Sequence, residues 1–228
     1  VSEPILLSLE SSGNFGSVCL SRGGALLYAA TSFLDQSHAA MMAPLVKAGM
    51  EAANIRASDI DAVAVGAGPG SYTGLRIGIS LAKGFCFALQ IPLISVGTMN
   101  NLAHQSFAYH QEAEKVLCVL DARRNEVYAA LFGKGGRILV PVQALVLDER
   151  AGHLFSENDK LILAGDGAKK TIEFFGNPEK WMASQNLYPD ARTVAAIALQ
   201  KFKKNEFEDL ALFEPEYIKP VYFSQPEK

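Results

Sequence analysis

In the stretch GAGPGSYTGLRIG, residues 66–78, the residue types and their spacing could do chemistry. Glycines admit positive φ and close backbone approach, and a helix opening directly behind them offers unpaired N–H groups to an anion. Gly68, Gly70, Ser71, Thr73 and Gly74 are therefore the candidate contacts of a phosphate, with Thr73 expected to cap the helix. A P-loop needs G-x-x-x-x-G-K-S/T, and no lysine follows these glycines at that spacing. A dinucleotide fingerprint needs an acid about 20 residues on, and none precedes Glu112. Equally open is a packing role, in which the glycines let the following helix lie close on a sheet.

Glu10, Asp121 and Asp166 end strands or open turns, where actin-like ATPases and sugar kinases hold magnesium-associated acids. Those enzymes carry D-x-G-S/T after the first strand, whereas this chain has Glu10-Ser11-Ser12-Gly13. For Asp121 and Asp166 the favoured reading is a structural turn acid. The four histidines, His38, His104, His110 and His153, offer no H-x-x-x-H pair on one helical face, so no metal site is expected. Cys19, Cys86 and Cys118 sit in apolar stretches and read as buried, inert thiols of a reducing compartment. No catalytic residue is expected on these grounds.

The elements that must position these residues follow from periodicity. Strands are expected at 4–10 and on both sides of the Arg22-Gly23-Gly24 turn, and a helix over 38–54, where Met41, Met42, Leu45, Val46 and Met50 recur at helical spacing. A strand at 60–68, a helix at 73–89, a strand at 92–96 and a helix at 98–109 complete a βββαβαβα order. The segment VLCVLDARRNEVYAALFGKGGRIL then repeats the layout of ILLSLESSGNFGSVCLSRGGALL, matching Glu10 with Asp121 and Gly23-Gly24 with Gly135-Gly136. The expected fold is a duplicated α/β protein of the ribonuclease H-like, actin-like two-lobe kind, with lobes at 1–110 and 111–228. Residues 177–189 read as a long surface loop.

The helix 73–89 is apolar on nearly every side, so it must be buried on two sides. With the methionine-rich helix 38–54 it could form a docking face, and the candidate interface residues are His38, Met41, Met42, Leu45, Leu75, Arg76 and Ile79. A formal charge of −3 gives no basic footprint for direct nucleic-acid binding. The run ISLAKGFCFALQIPLI is interrupted by Lys83, Gly84 and Pro92, which argues against a membrane span. The opening VSEPILLSLESSG lacks the regions of a secretory leader, so a cytoplasmic location is expected.

Across almost the whole chain the residues resemble one family. ILLSLESS resembles its I-L-x-I-D/E-T-S opening, HAAMMAPLV its H-x-x-x-L-x-P-L-I helix, and GAGPGSYTGLRIGISLAKGF its most specific signature, G-x-G-P-G-S-F/Y-T-G-L/V-R-x-G. DARRNEVYAALF resembles D-A-R-x-x-E-V-Y, and PEYIKP resembles P-x-Y-L/I-R, with Ser11 and Lys219 standing where the family usually has Thr and Arg. This family is TsaB, also called YeaZ. The resemblance implies a non-catalytic scaffold of bacterial threonylcarbamoyladenosine biosynthesis that binds the catalytic paralogue TsaD with the ATPase TsaE. The modified residue is then adenosine 37 of ANN-decoding tRNAs, met only through the complex. A homodimer in the absence of the partner, and ATP or ADP at the partner interface without tight binding by the isolated chain, are further expectations. The alternatives are an autonomous ATPase or phosphotransferase of the sugar-kinase type and a glycoprotease-type metallopeptidase, the latter disfavoured because no metal-binding histidine pair is present.

Overall fold

The computed structural model describes residues 3–33, 38–148, 160–176, 178–184 and 187–219, and for His38 the backbone only. Five strands form the first sheet, in the order β3-β2-β1-β4-β5: β1 (Ile5–Glu10), β2 (Gly16–Arg22), β3 (Ala25–Ser32), β4 (Ala62–Gly68) and β5 (Leu93–Gly97). β1 pairs antiparallel with β2 and parallel with β4, so it sits in the middle. Every residue of β1 and β4 is buried, as a strand covered on both faces requires.

Helices α1 (His38–Ala52) and α2 (Tyr72–Leu89) cover one face, where Leu7, Leu9, Val18, Met42, Val46, Val65 and Ile79 form the core. The crossovers β1 to β4 and β4 to β5 put helices between parallel strands, which is what a hydrophobic run bounded by turns was expected to give.

The second sheet has the order β10-β9-β6-β7-β8, built from β6 (Lys115–Asp121), β7 (Glu126–Gly133), β8 (Arg137–Val146), β9 (Leu161–Ala164) and β10 (Trp181–Ala183). Its layout repeats the first: a central strand, an antiparallel meander to one side and parallel strands to the other. β10 corrects the expectation of an unbroken loop over 177–189. It is only three residues long and runs parallel to β9, with buried Trp181 packing edge-on against Phe175 of the helix α4 (Ala168–Phe174) region. Three residues are too few for a period to show.

The sheets divide on either side of residue 110, but their cover helices cross that point. The helix α5 (Ala191–Lys203) returns to the first sheet, where Val194 and Ala198 pack on Leu6, Ala62, Ala64, Ile94 and Val96. Conversely α3 (Thr98–Tyr109) covers the second sheet through Met99, Leu102 and Ala103 against Val116, Cys118 and Phe132. Each sheet thus takes one cover helix from the far side of the sequence midpoint. After α5, residues 207–217 also stay on the first lobe: Glu208 N–H donates to Leu93 C=O (2.9 Å), and Leu210 and Phe213 pack on its core.

Candidate functional site

The glycine-rich stretch runs from the end of β4 into α2. Ser71, not Thr73, is the cap: its Oγ accepts from Gly74 N–H at 3.2 Å. The glycines are explained by what they touch. A Cβ at Gly70 would lie 2.2 Å from Ser12 O, one at Gly74 2.1 Å from Ser11 O, and one at Gly78 2.3 Å from Ser11 Oγ. Ser71 N–H donates to Ser12 C=O (2.7 Å) and Ser11 Oγ to Gly74 C=O (2.8 Å), locking the loop after β1 to the first turn of α2. Of the five candidate phosphate contacts, Gly68 and Gly74 are buried, Gly70 is half-buried, and Ser71 and Thr73 are exposed.

Glu10 lies behind this joint. It is fully buried, its Oε1 accepts from Ser12 N–H at 2.7 Å, and its Oε2 has no partner. Gly66 makes room for it, since a Cβ there would lie 2.4 Å from Oε2. Burial pushes its carboxyl above the ordinary value of 4.5, outweighing the hydrogen bonds from Ser12 and Ser11.

Between the lobes lies a cleft of about 400 Å³, lined by Ser12 to Asn14 and Gly70 to Thr73 from one side and Leu120 to Arg123, Tyr128 and Asp166 from the other. Glu10 does not line it. Asp121 does, and Lys170 holds it through an ion pair of 2.9 Å that, with the Arg123 N–H bond, keeps its carboxyl below the ordinary 3.8. Asp166 accepts from Asp121 N–H at 2.8 Å, while burial raises its own carboxyl. The two acids are thus fastened into the turns they open. Arg123 and Arg124 occupy the left-handed region, at φ 66° and 51°. The Lys170 ammonium bridges this turn by donating to Arg124 C=O (2.5 Å) and Glu126 C=O (3.1 Å).

The candidate interface residues do not share one surface. Met42, Leu75 and Ile79 are buried in the lobe core, at 1%, 1% and 4% exposure, so an acid placed there probes folding rather than docking. Met41 and Leu45 are half-buried, Arg76 is exposed, and the side chain of His38 lies outside the described residues. An apolar helix hides its most hydrophobic positions against its own sheet, and the outward face of α2 is Arg76, Ser80, Gly84 and Phe87, the last 72% exposed. A cavity of about 380 Å³ lies between α1 and α2, lined by Val46, Met50, Ile55 and Phe85 together with Lys47, Glu51, Asn54 and Arg56. Sequence reasoning missed Phe87 because its neighbours are equally hydrophobic.

Cys19, Cys86 and Cys118 are buried free thiols whose burial raises their pKa, Cys19 to about 12 and Cys86 to about 11. His104 is exposed, His110 meets Ser184 Oγ at 2.8 Å, and His153 lies outside the described residues. Among the described residues no group of His, Cys, Asp and Glu could hold a metal ion, and no helix is long and apolar enough to cross a membrane.

Two sheets of one layout, facing each other across a polar cleft, define an α/β protein of the duplicated, ribonuclease H-like and actin-like class. The fold alone is shared, at TM-score 0.51 and 9% identity over 89% of this chain and 99% of that one, with Acidaminococcus fermentans (R)-2-hydroxyglutaryl-CoA dehydratase component A. The family model for tRNA N6-adenosine threonylcarbamoyltransferase, TsaD, matches residues 32–225. The chain is 26% identical to the Escherichia coli tRNA threonylcarbamoyladenosine biosynthesis protein TsaB over 224 residues, 94% of each chain. The Haemophilus influenzae protein of that name is 33% identical over 123 residues, 54% of this chain and 51% of its own length. YeaZ from Pseudomonas aeruginosa superposes with TM-score 0.79 at 26% identity, over 94% of this chain and 99% of that one. The chain belongs to the tRNA N6-adenosine threonylcarbamoyltransferase family, within its TsaB (YeaZ) group.

Proposed function

We propose that the chain is a non-catalytic subunit in threonylcarbamoylation of adenosine 37 of ANN-decoding tRNAs, working in the cytoplasm. It docks on a TsaD-type catalytic subunit, acts with a TsaE-type ATPase, and meets tRNA only through that complex. Without the partner, the same face pairs two copies. The observation that carries this reading is Glu10: the acid ending the first strand is buried behind Gly66 and outside the cleft, where it cannot hold a magnesium ion for phosphoryl transfer. Asp121 is already neutralised by Lys170. The proposal gives the isolated chain no tightly bound cofactor and reserves Ser71 and Thr73, the exposed residues at the start of α2, for ATP or ADP at the shared interface.

The docking face is the outer side of α2, with the half-buried Met41 and Leu45 of α1 alongside. Phe87→Asp and Ser80→Asp change exposed positions, so each should leave stability within about 0.5 kcal/mol of the parent. Both should lose co-purification with a TsaD-type partner and lower tRNA modification reconstituted from purified components. Full retention of binding by both would remove this face from the proposal. Modification that proceeds undiminished when the chain is omitted would remove the function itself.

A further inference from the structure

The last described residues take a path that neither lobe's packing requires. Glu216 N–H donates to Ala67 C=O (2.8 Å) at the end of β4, and Phe213 C=O accepts from the Lys83 ammonium of α2 (3.0 Å). Tyr217 then reaches the first turns of α2: its hydroxyl accepts from Arg76 Nε at 3.0 Å, its ring lies 5.2 Å from that of Tyr72, and the Arg76 guanidinium sits 4.0 Å over the Tyr72 ring. Two residues later the chain is on the other lobe. Lys219 forms an ion pair with Glu126 of β7 and lies 5.4 Å over the Tyr128 ring.

Tyr72 and Tyr128 are opposite walls of the inter-lobe cleft, and each is gripped by this segment. We infer that residues 213–219 are a releasable strap that joins the two lobes across the mouth of the cleft and sets its opening. The grip is chemically suited to release. The segment has no helix or strand of its own, Tyr217 is 38% exposed, and the Lys219–Glu126 pair retains side-chain exposures of 21% and 34%. Beyond Phe213, which anchors the segment on the first lobe's core, a cation over an aromatic ring and one ion pair hold without burying a large apolar surface, so they separate without unfolding either core. The strap also occupies Arg76, so whatever competes for that guanidinium on the face of α2 is coupled to the cleft.

The test is amide hydrogen exchange on the full chain, comparing the parent with Tyr217→Ala, Lys219→Glu and the charge-swapped pair Lys219→Glu/Glu126→Lys. Release should speed exchange about tenfold or more in residues 70–76 and 121–128, while the amides of β1 and β4 keep the parent rate. The charge swap should return residues 121–128 towards the parent rate, which a variant that merely loosened the fold would not do. Faster exchange confined to residues 213–219, or acceleration in β1 equal to that in the cleft loops, overturns the inference. So does a charge swap as fast as Lys219→Glu alone.

Discussion

The two lobes enter their sheet-covering helices through similar turns and use them differently. Gly68 ends β4 and Gly165 directly follows β9, both in a positive-φ conformation, at 112° and 108°, and both helices start within four residues. In the first lobe α2 is pressed so close to the loop after β1 that Gly74 and Gly78 have no room for a side chain, and the strand-end acid is buried behind it. In the second lobe the inward positions of α4 are Ala168 and Thr171, which carry side chains, and Asp121 remains at the cleft under Lys170. A duplicated frame thus yields one half built as a packing joint and one half that keeps polar groups facing the cleft. Glycine in this signature serves close approach of helix to backbone, with only the residues at the mouth of the loop left for a ligand.

The sharpest way to break that contrast is Gly74→Ala. Its Cβ would meet Ser11 O at 2.1 Å and Ser11 C at 3.3 Å, both backbone atoms that cannot swing away. Separating α2 from the loop should cost about 3 kcal/mol or more, read as a lowered urea midpoint. An unchanged midpoint would mean that α2 is not held against that loop, and the comparison would fail.

The sequence made the frame legible because its signals are local. The Gly-Gly hairpins, the buried runs of β1 and β4 and the start and end of α3 are set by turn residues and period. The exchange of cover helices was hidden, since the amphipathic α5 shows an apolar face but not which sheet will receive it. At the site, the close glycines could be named while their cause could not. The atoms they approach, Ser11 and Ser12, are some 60 residues away in sequence, and phosphate cradle and packing joint use the same residue type. Met42 and Leu75 were drawn to the docking face by hydrophobicity, which sends a residue inward before it sends it to a partner.

The acids give the next largest contrast, with opposite signs. The Glu10 carboxyl titrates above its unfolded value of 4.5 because of burial, so the folded state keeps a proton that the unfolded chain has lost. Its contribution is fully present below that value and is lost as pH rises towards the folded pKa. Glu10→Gln does not titrate and keeps an oxygen for Ser12 N–H, so thermal unfolding should show it more stable than the parent at neutral pH, the gain shrinking to nothing near pH 4. Asp121 is depressed below 3.8, chiefly by Lys170, so its contribution is present above that value and lost as pH falls through the folded pKa. Asp121→Asn should therefore lose stability at neutral pH, by less than about 1 kcal/mol because the pair is partly exposed. Matching signs for the two variants would mean that the lobes do not differ in this way.

The smallest effect separates packing from docking on a single helix. Gly84 lies nearly three turns beyond Gly74 on α2, yet a Cβ there would meet nothing within 4 Å, and its backbone is helical. Gly84→Ala should stabilise the isolated chain by about 0.5–1 kcal/mol, because alanine loses less freedom than glycine on entering a helix. The same methyl group projects from the exposed face between Ser80 and Phe87, where a closely packed partner helix would have to move away from it. A variant that melts higher but co-purifies less with the TsaD-type subunit would assign Gly74 to the joint inside the lobe and Gly84 to the face outside it. A variant that melts higher and binds fully would leave Gly84 without a role in docking and shift the contact towards Phe87.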